Sequence, residues 1–162
     1  MKIVRIDEES AGSVAPLVAD FRVTLLSLKG IRSEPDREAA KEELRDFLSA
    51  GYPVFAAEED GIPVGYIVCR IDGSCLWVEH LFVKSEYRRK GAASLLFGRA
   101  EELAHAMGEE TVFNFVHPTN EAMIAFLRSK GYTVLNMIEI RKPYKDEVLR
   151  TTVDVNGIEF DY

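Results

Sequence analysis

A run of basic and small residues is the most chemically informative part of the sequence. Three bases are followed directly by three small residues, in the order Arg88, Arg89, Lys90, Gly91, Ala92 and Ala93. The start of a helix presents unpaired N–H groups and the positive end of the helix dipole. Because small side chains let a ligand approach those groups, the pattern predicts a site for phosphate or pyrophosphate. The alternative is a helix start whose basic residues face solvent.

The predicted strand that comes before this run carries a carboxylate. With a period of two, Glu79 shares one face of that strand with Trp77, Leu81 and Val83. A carboxylate there can accept a proton from an amine or hold a cationic substrate. The alternative is a strand glutamate in a salt bridge. His80 points to the opposite face, where we expect a structural role.

Hydrophobic periodicity predicts the elements that position these residues. The predicted helices cover residues 8–28, 33–49, 91–107 and 120–130. The predicted strands cover residues 2–6, 53–58, 62–71, 75–83, 111–117 and 132–140, and residues 151–160 form one more strand or a small hairpin. The order is therefore β-α-α-β-β-β-α-β-α-β plus a C-terminal extra strand. This pattern predicts an α/β fold of the α+β kind in one domain.

Two Asp-Gly turns join the three strands in the middle of the chain into an antiparallel meander. A turn at Asp72-Gly73 would pair Cys69 with Leu76 and Cys75 with Arg70. The two sulfurs would then lie on opposite faces, so we expect neither a disulfide nor a metal site.

Composition limits the possible classes of protein. The chain has 162 residues, with 27 acidic and 20 basic side chains and a net charge of −7. This balance argues against general nucleic-acid binding, which needs a basic surface. The apolar stretches are shorter than a membrane span, and the first residues lack an apolar signal core. We therefore expect a cytoplasmic protein with no membrane partner.

Three segments together resemble the GNAT superfamily of N-acetyltransferases. Residues 88–93 are similar to its Arg/Gln-x-x-Gly-x-Gly/Ala signature. Residues 81–87 resemble the strand exit that precedes it, with Ser85 where proline is frequent. Residues 120–132 resemble its Asn-x-x-Ala…Lys-x-Gly-Phe segment. The resemblance covers about residues 2–142, and it implies a single GNAT domain over 1–162 with a mostly antiparallel twisted sheet flanked by helices and an extension over 143–162.

The resemblance also implies a site for acetyl-CoA as acyl donor, with no metal. Main-chain N–H groups at the helix start would hold the pyrophosphate, and the strand edge near residues 81–83 would pair with the pantetheine amides. The implied cofactor-binding residues are Leu81, Phe82, Val83, Arg88, Arg89, Lys90, Gly91, Ala92, Ala93, Ser94 and Asn120.

The reaction implied by the resemblance is direct attack of a primary amine on the thioester. The stretch 78–83 resembles part of the aminoglycoside 6'-N-acetyltransferases, which makes Glu79 the candidate base. Many relatives carry a tyrosine as the acid seven residues after the asparagine, but that position is Leu127 here. Water or Tyr144 would then supply the proton to the leaving thiolate.

Several acidic residues in the region 20–50 would attract a small amine or a peptide amine, although they equally suit a solvated helix face. The missing tyrosine keeps open a catalytically weak acyl-CoA-binding sensor or interaction module. A third interpretation of the basic run is that the protein binds phosphate and has an unrelated fold. Residues 143–162 would add a strand across a homodimer.

Overall fold

The element order follows the predicted sequence of strands and helices through most of the chain. The computed structural model describes all residues, Met1–Tyr162. Its elements are β1 (Lys2–Arg5), α1 (Ala11–Leu28), α2 (Arg37–Ser49), β2 (Val54–Glu59), β3 (Ile62–Asp72), β4 (Cys75–Val83), a 3-10 turn (Ser85–Tyr87), α3 (Ala92–Ala106), β5 (Phe113–Asn114), α4 (Glu121–Ser129), β6 (Thr152–Val155) and β7 (Ile158–Asp161).

The residues group into two compact units. The first unit contains Met1–Thr24 and Glu34–Phe115, and the second contains Leu25–Ser33 and Val116–Tyr162. The organisation as one GNAT domain over 1–162 stays a prediction.

A five-stranded sheet in the order β1-β2-β3-β4-β5 forms the centre of the first unit. Neighbouring strands are antiparallel from β1 to β4, and β5 is parallel to β4. Asp60 and Gly61 have φ of 52° and 77°, as a two-residue hairpin turn requires. The mixed, mostly antiparallel sheet with helices confirms the predicted fold class.

Helices cover both faces of this sheet. On one face, the His80 ring packs against Phe21 of α1 and Phe47 of α2. On the other face, the α3 guanidinium of Arg99 lies over the Phe55 ring, 5.2 Å from its centroid. By length and composition alone α1 could cross a membrane, but its core-facing side is buried, as in the core helix of a globular domain.

The second meander turn differs from the prediction. Asp72 pairs with Cys75, so the turn residues are 73 and 74 rather than 72 and 73. Cys69 therefore pairs with Val78 instead of Leu76. Both cysteines are free, as expected.

Two predicted strands are wrong: one is shorter than expected and the other is absent. The strand expected over 111–117 is reduced to Phe113–Asn114, because its partner β4 changes direction after Val78, as described below. The strand expected over 132–140 does not form. Its apolar side chains are exposed, including Val134 at 87%, and strand propensity alone does not hold a segment that lacks a paired neighbour.

The second unit contains α4 and a two-stranded hairpin. β6 and β7 are joined at Asn156 and Gly157, which have φ of 54° and 80°. Asn-Gly is the preferred pair for this turn, so the hairpin alternative for 151–160 is confirmed. Leu127 is the one buried apolar side chain of this unit.

Candidate active site

β4 has an open edge along its last residues. β5 pairs with Trp77 and Val78 through Phe113 and Asn114 and then ends. From Glu79 to Val83, β4 therefore has a strand neighbour on the β3 side only. The two strands part at the position of the candidate base.

Main-chain hydrogen bonds show which groups point to the open edge. The Lys84 N–H donates to the Val64 carbonyl oxygen at 3.0 Å, so Val83 and its β3 partner form a pair without mutual bonds. Such pairs alternate along an antiparallel ladder. Leu81 and Val83 therefore direct their N–H and C=O groups away from β3, whereas those of Phe82 face β3.

A β-bulge lies in β4 at this position. His80 pairs with Val68 and Val78 pairs with Cys69, so Glu79 is an extra residue opposite the junction of two β3 residues. A bulge bends its strand and changes the direction of a side chain. This bend explains why β5 does not continue alongside β4.

The bulge also corrects the predicted strand face. Residues opposite each other in a sheet share a face. Leu81 pairs with Ile67 and Trp77 pairs with Arg70, and these two β3 residues lie on opposite faces. Leu81 and Trp77 are therefore on different faces, and the regular alternation from Trp77 to Val83 that we expected is wrong. Glu79 contacts Arg70, whose face of β3 also carries Val68, the partner of His80, so the expectation that His80 points to the face opposite Glu79 is wrong as well.

Glu79 is held in an ion pair. Arg70 Nε donates to Glu79 Oε1 at 2.6 Å, and Arg70 Nη1 donates to Asp72 Oδ2 at 2.8 Å. The hydrogen bond that Arg70 donates to Glu79 raises the pKa of Arg70, so the guanidinium keeps its charge. The salt-bridge alternative for Glu79 is thus present in the structure.

Three aromatic rings next to this ion pair form a surface that we call the aromatic shelf, made of Trp77, Phe113 and Phe115. The Phe115 ring stacks on Trp77, with centroids 4.6 Å apart and planes 15° apart. The Phe113 ring lies 4.9 Å from Trp77. Arg70 Cζ lies 5.4 Å from the Trp77 ring centroid. Phe115 is 61% exposed, so the shelf faces solvent.

His80 belongs to a buried polar group beneath the bulge. Arg22 Nη2 donates to His80 Nε2 at 3.3 Å, and His80 Nδ1 lies 3.0 Å from Tyr66 Oη. Because arginine only donates, Nε2 carries no proton and Nδ1–H donates to the tyrosine. Burial, and then the charge of Arg22, lower the pKa of His80 to about 3. Glu43, 3.5 Å from the same nitrogen, is itself paired with Arg22. These contacts agree with the structural role expected for His80.

The start of α3 has unpaired donors, as predicted. Gly91 is the residue before the first helical turn, with φ of 90° and no side-chain cap. The first main-chain bond of the helix runs from the Leu95 N–H to the Gly91 carbonyl oxygen. The N–H groups of Ala92, Ala93 and Ser94 therefore have no helical acceptor.

Two of the three basic side chains before α3, those of Arg88 and Lys90, have partners within the protein. Arg88 Nε donates to the outward-facing Val83 carbonyl oxygen at 2.9 Å. Lys90 Nζ lies 5.0 Å from the Tyr87 ring centroid. Arg89 has φ of 62°, which is uncommon for a residue with a side chain. Arg88 thus links the α3 start to the open edge of β4.

The remaining predicted residues lie in the second unit. The Asn120 side chain caps α4 by accepting a hydrogen bond from the Met123 N–H at 3.1 Å. Leu127 is buried and Tyr144 is 72% exposed. His117 contacts Tyr162 edge to face at 5.7 Å.

A family model identifies the chain. The Acetyltransferase (GNAT) family model matches residues 21–132, more than half of the sequence. The chain belongs to the GNAT family. The family match therefore confirms the resemblance, and the mixed sheet with its helices agrees with it.

Two curated relatives of this GNAT protein are acyltransferases. It is 31% identical over 106 residues to the L-methionine sulfoximine/L-methionine sulfone acetyltransferase of Salmonella typhimurium strain LT2. It is 30% identical over 90 residues to the L-amino acid N-acyltransferase MnaT of Escherichia coli strain K12. The matches cover 62% and 52% of this chain and span 61% and 52% of the relatives' lengths.

Solved GNAT structures share the fold at low identity. The structure of AAC(6')-Iy in complex with the bisubstrate analogue CoA-S-monomethyl-acetylneamine has a TM-score of 0.68 at 16% identity, covering 89% of this chain and 98% of that one. The PaiA N-acetyltransferase of Thermoplasma acidophilum, in complex with coenzyme A, has a TM-score of 0.68 at 20% identity, covering 80% and 87%.

Sequence reasoning missed Arg70 as a residue of the site. Its pairing with Trp77 depends on the turn at residues 73 and 74, whereas the Asp-Gly pair at 72 and 73 favoured a turn one residue earlier, which would pair Arg70 with Cys75. The bulge at Glu79 has no separate signal in the sequence.

Proposed function

We propose that this protein is an acetyl-CoA-dependent N-acetyltransferase that acts on a primary amine by direct attack. The observation that carries the proposal is the open β4 edge, which leads through Arg88 into the uncapped start of α3. Membership of the GNAT family and the CoA complexes among its structural neighbours support the same donor.

The donor would lie along the open edge. Its pantetheine amides would pair with the outward-facing main-chain groups of Leu81 and Val83, as an added strand does. Its pyrophosphate would accept hydrogen bonds from the α3 start, in the proposed set Arg88, Arg89, Lys90, Gly91, Ala92, Ala93 and Ser94. Phe82 would line the site through its side chain, since its main chain bonds β3. Asn120 belongs to the second unit, where its side-chain oxygen caps α4, and its place in the cofactor-binding set stays a prediction.

The reaction needs a neutral amine. The ammonium loses a proton to Glu79 or to water, and the nitrogen lone pair then attacks the thioester carbon. The C–N bond forms, the nitrogen gives its second proton to water, the C–S bond breaks, and the thiolate takes a proton from water. An outward-facing N–H of the β4 edge is suited to stabilise the oxyanion that forms.

A second candidate is an acyl-CoA-binding module without turnover. Two observations favour it: Glu79 is already paired with Arg70, and buried Leu127 replaces the usual tyrosine. Release of free thiol from acetyl-CoA in the presence of amines separates the two candidates. Acetyl-CoA binding without thiol release across a broad amine panel would favour the module.

The Gly91→Glu variant tests the donor site. It places a negative charge beside the proposed pyrophosphate, and we expect loss of the thermal shift that acetyl-CoA produces in the wild type. No atom lies within 4 Å of a Cβ at Gly91, so the effect is one of charge and backbone rather than a clash.

Two controls isolate the charge. Gly91→Ala has the same backbone strain at φ +90° without the charge, and it should retain part of the shift. Gly108→Glu lies at the other end of α3, also at positive φ and in open space, and should retain it fully. Normal acetyl-CoA affinity in Gly91→Glu would refute the donor site.

A further inference from the structure

The ion pair at Glu79 and the aromatic shelf together suggest the class of acceptor, in an inference that rests on the proposed function. We propose that the acceptor is a free α-amino acid with an aromatic side chain. Its ammonium would bind Glu79, its carboxylate would bind Arg70, and its ring would lie on the aromatic shelf. All of these residues belong to the first unit.

Arg70 has donors left for a carboxylate. A guanidinium carries five N–H groups, and here Nε uses one on Glu79 and Nη1 uses one on Asp72. The two N–H groups of Nη2 have no partner in the protein. The side chain is 23% exposed, so a small ligand can reach it. A free N–H of a guanidinium donates a short, charge-assisted hydrogen bond to a carboxylate.

Glu79 has an acceptor left for an ammonium. Arg70 occupies Oε1, and Oε2 makes no hydrogen bond in the protein. The Glu79 side chain is 25% exposed. Glu79 is the bulge residue of β4 and comes two positions before Leu81, whose main chain faces the open edge. An amine bound at Oε2 would therefore be near the proposed position of the thioester.

The charges of this cluster match a zwitterion better than a polycation. Arg70 and Glu79 form a partly buried ion pair with no net charge, in which a positive and a negative group lie one hydrogen bond apart. Asp72 adds a negative charge, but its side chain is 70% exposed and its field is screened by water. A polyamine would leave the Arg70 donors unused and bring further charges near the guanidinium.

The shelf supplies the preference for a ring. Trp77 lies between the ion pair and Phe115, since it contacts Arg70 at 5.4 Å and Phe115 at 4.6 Å. The exposed Phe115 ring offers a flat face next to this stack. An aromatic side chain placed there gains stacking and apolar burial that a small side chain lacks.

Steady-state thiol release with acetyl-CoA and four acceptors tests the inference. The acceptors are L-phenylalanine, L-alanine, phenethylamine and kanamycin. We expect kcat/KM for L-phenylalanine to exceed that for phenethylamine, which lacks the carboxylate, by at least about tenfold, the loss expected for a hydrogen bond to a charged group. The kcat/KM for L-alanine should be lower than that for L-phenylalanine by about tenfold or more, because L-alanine lacks the ring. A phenethylamine or kanamycin value equal to or above that of L-phenylalanine would overturn the inference and leave acetyl transfer standing.

Two variants assign the effects to residues. Arg70→Gln should reduce the ratio of L-phenylalanine to phenethylamine toward one through KM for the amino acid, a change that general loss of structure would not produce. Phe115→Ala should reduce the ratio of L-phenylalanine to L-alanine. The control Ile62→Ala, also at an exposed apolar position of the first unit, should leave both ratios unchanged. Unchanged ratios in Arg70→Gln or Phe115→Ala would contradict the proposed contacts.

A binding measurement keeps the inference testable if no acceptor is acetylated. Trp77 is the single tryptophan of the chain, so its fluorescence reports on the shelf. Quenching by L-phenylalanine that disappears in Phe115→Ala would support the amino-acid site even if the proposed transfer fails. No quenching and no transfer to L-phenylalanine would overturn this inference, whereas the proposed function is tested separately by the acetyl-CoA thermal shift and the broad amine panel.

Discussion

The two units differ in how much of their apolar side chains they bury. In the first unit, apolar side chains from β2, β3, β4 and α3 are buried, and Val64, Ile67, Leu96 and Phe97 are fully shielded from water. In the second unit Leu127 alone is buried, and residues 134–140 carry several large apolar side chains that are 49% to 87% exposed. Similar residue types thus have different environments according to whether they lie in a paired sheet.

This difference indicates which unit can hold the residues of a binding site in fixed positions. The bulge, the open β4 edge and the α3 start all belong to the first unit, where strands and helices fix the main chain. A site needs such support, because a side chain on a weakly packed segment is not held in one position. The second unit carries instead a capped helix and a hairpin held by local hydrogen bonds.

The largest expected effect is a loss of packing in the first unit. Leu96→Ala removes a fully buried side chain of α3, and we expect a loss of about 3 kcal/mol in the free energy of unfolding. Urea unfolding followed by Trp77 fluorescence measures it. The control Leu135→Ala, at an 81% exposed position, should change the free energy by less than about 0.5 kcal/mol. Equal losses in the two variants would break the contrast between the units.

The next effect is the pH dependence that buried His80 gives to the first unit. Above pH 6.5 His80 is neutral in both the folded and unfolded states and adds no pH dependence. As pH falls from 6.5 toward the folded pKa of about 3, the unfolded state binds a proton and the folded state does not. Stability should therefore fall by up to about 1.4 kcal/mol per pH unit from this group.

The variant His80→Gln should flatten the pH dependence of unfolding in this window. His105→Gln, at an exposed position of α3, serves as the control and should keep the wild-type slope. An unchanged slope in His80→Gln would show that His80 takes up a proton in the folded protein.

The smallest effect belongs to the surface pair Arg141 and Glu147 in the second unit. The hydrogen bond from Arg141, followed by that from the Tyr144 N–H, lowers the pKa of Glu147 to about 2. Its stabilising contribution is present above pH 4.5 and is lost as pH falls toward 2. An NMR titration of the Tyr144 amide should show this low pKa at low salt. A return toward 4.5 at high salt would mark it as a surface interaction, in contrast to His80.

Local patterns predicted much of the fold. The Asp60-Gly61 and Asn156-Gly157 turns, the α3 start at Gly91 and the cap of α4 at Asn120 each depend on a few adjacent residues, and all are present. Asp36 caps α2 by accepting hydrogen bonds from two main-chain N–H groups, three residues after the Ser33 start that the sequence favoured. Nearby polar residues compete for a cap, so local signals fix its position only within a turn.

Pairing between distant residues was harder to predict. The strand expected over 132–140 has residues of high strand propensity, but a strand requires hydrogen bonds to a neighbour, which its own sequence does not supply. The Cys69 pairing was displaced for a related reason. A turn placed one residue too early shifts every pair in the hairpin, and the bulge shifts the pairing again.

The GNAT family, the order of most elements and the basic, small-residue start of α3 could be predicted from the sequence, because these are properties of residues close together in the chain. The folded chain was needed to show that Glu79 is a bulge residue paired with Arg70, and that Trp77, Phe113 and Phe115 form one surface. Those relations depend on the register of β3, β4 and β5, and register is set by hydrogen bonds and packing between strands.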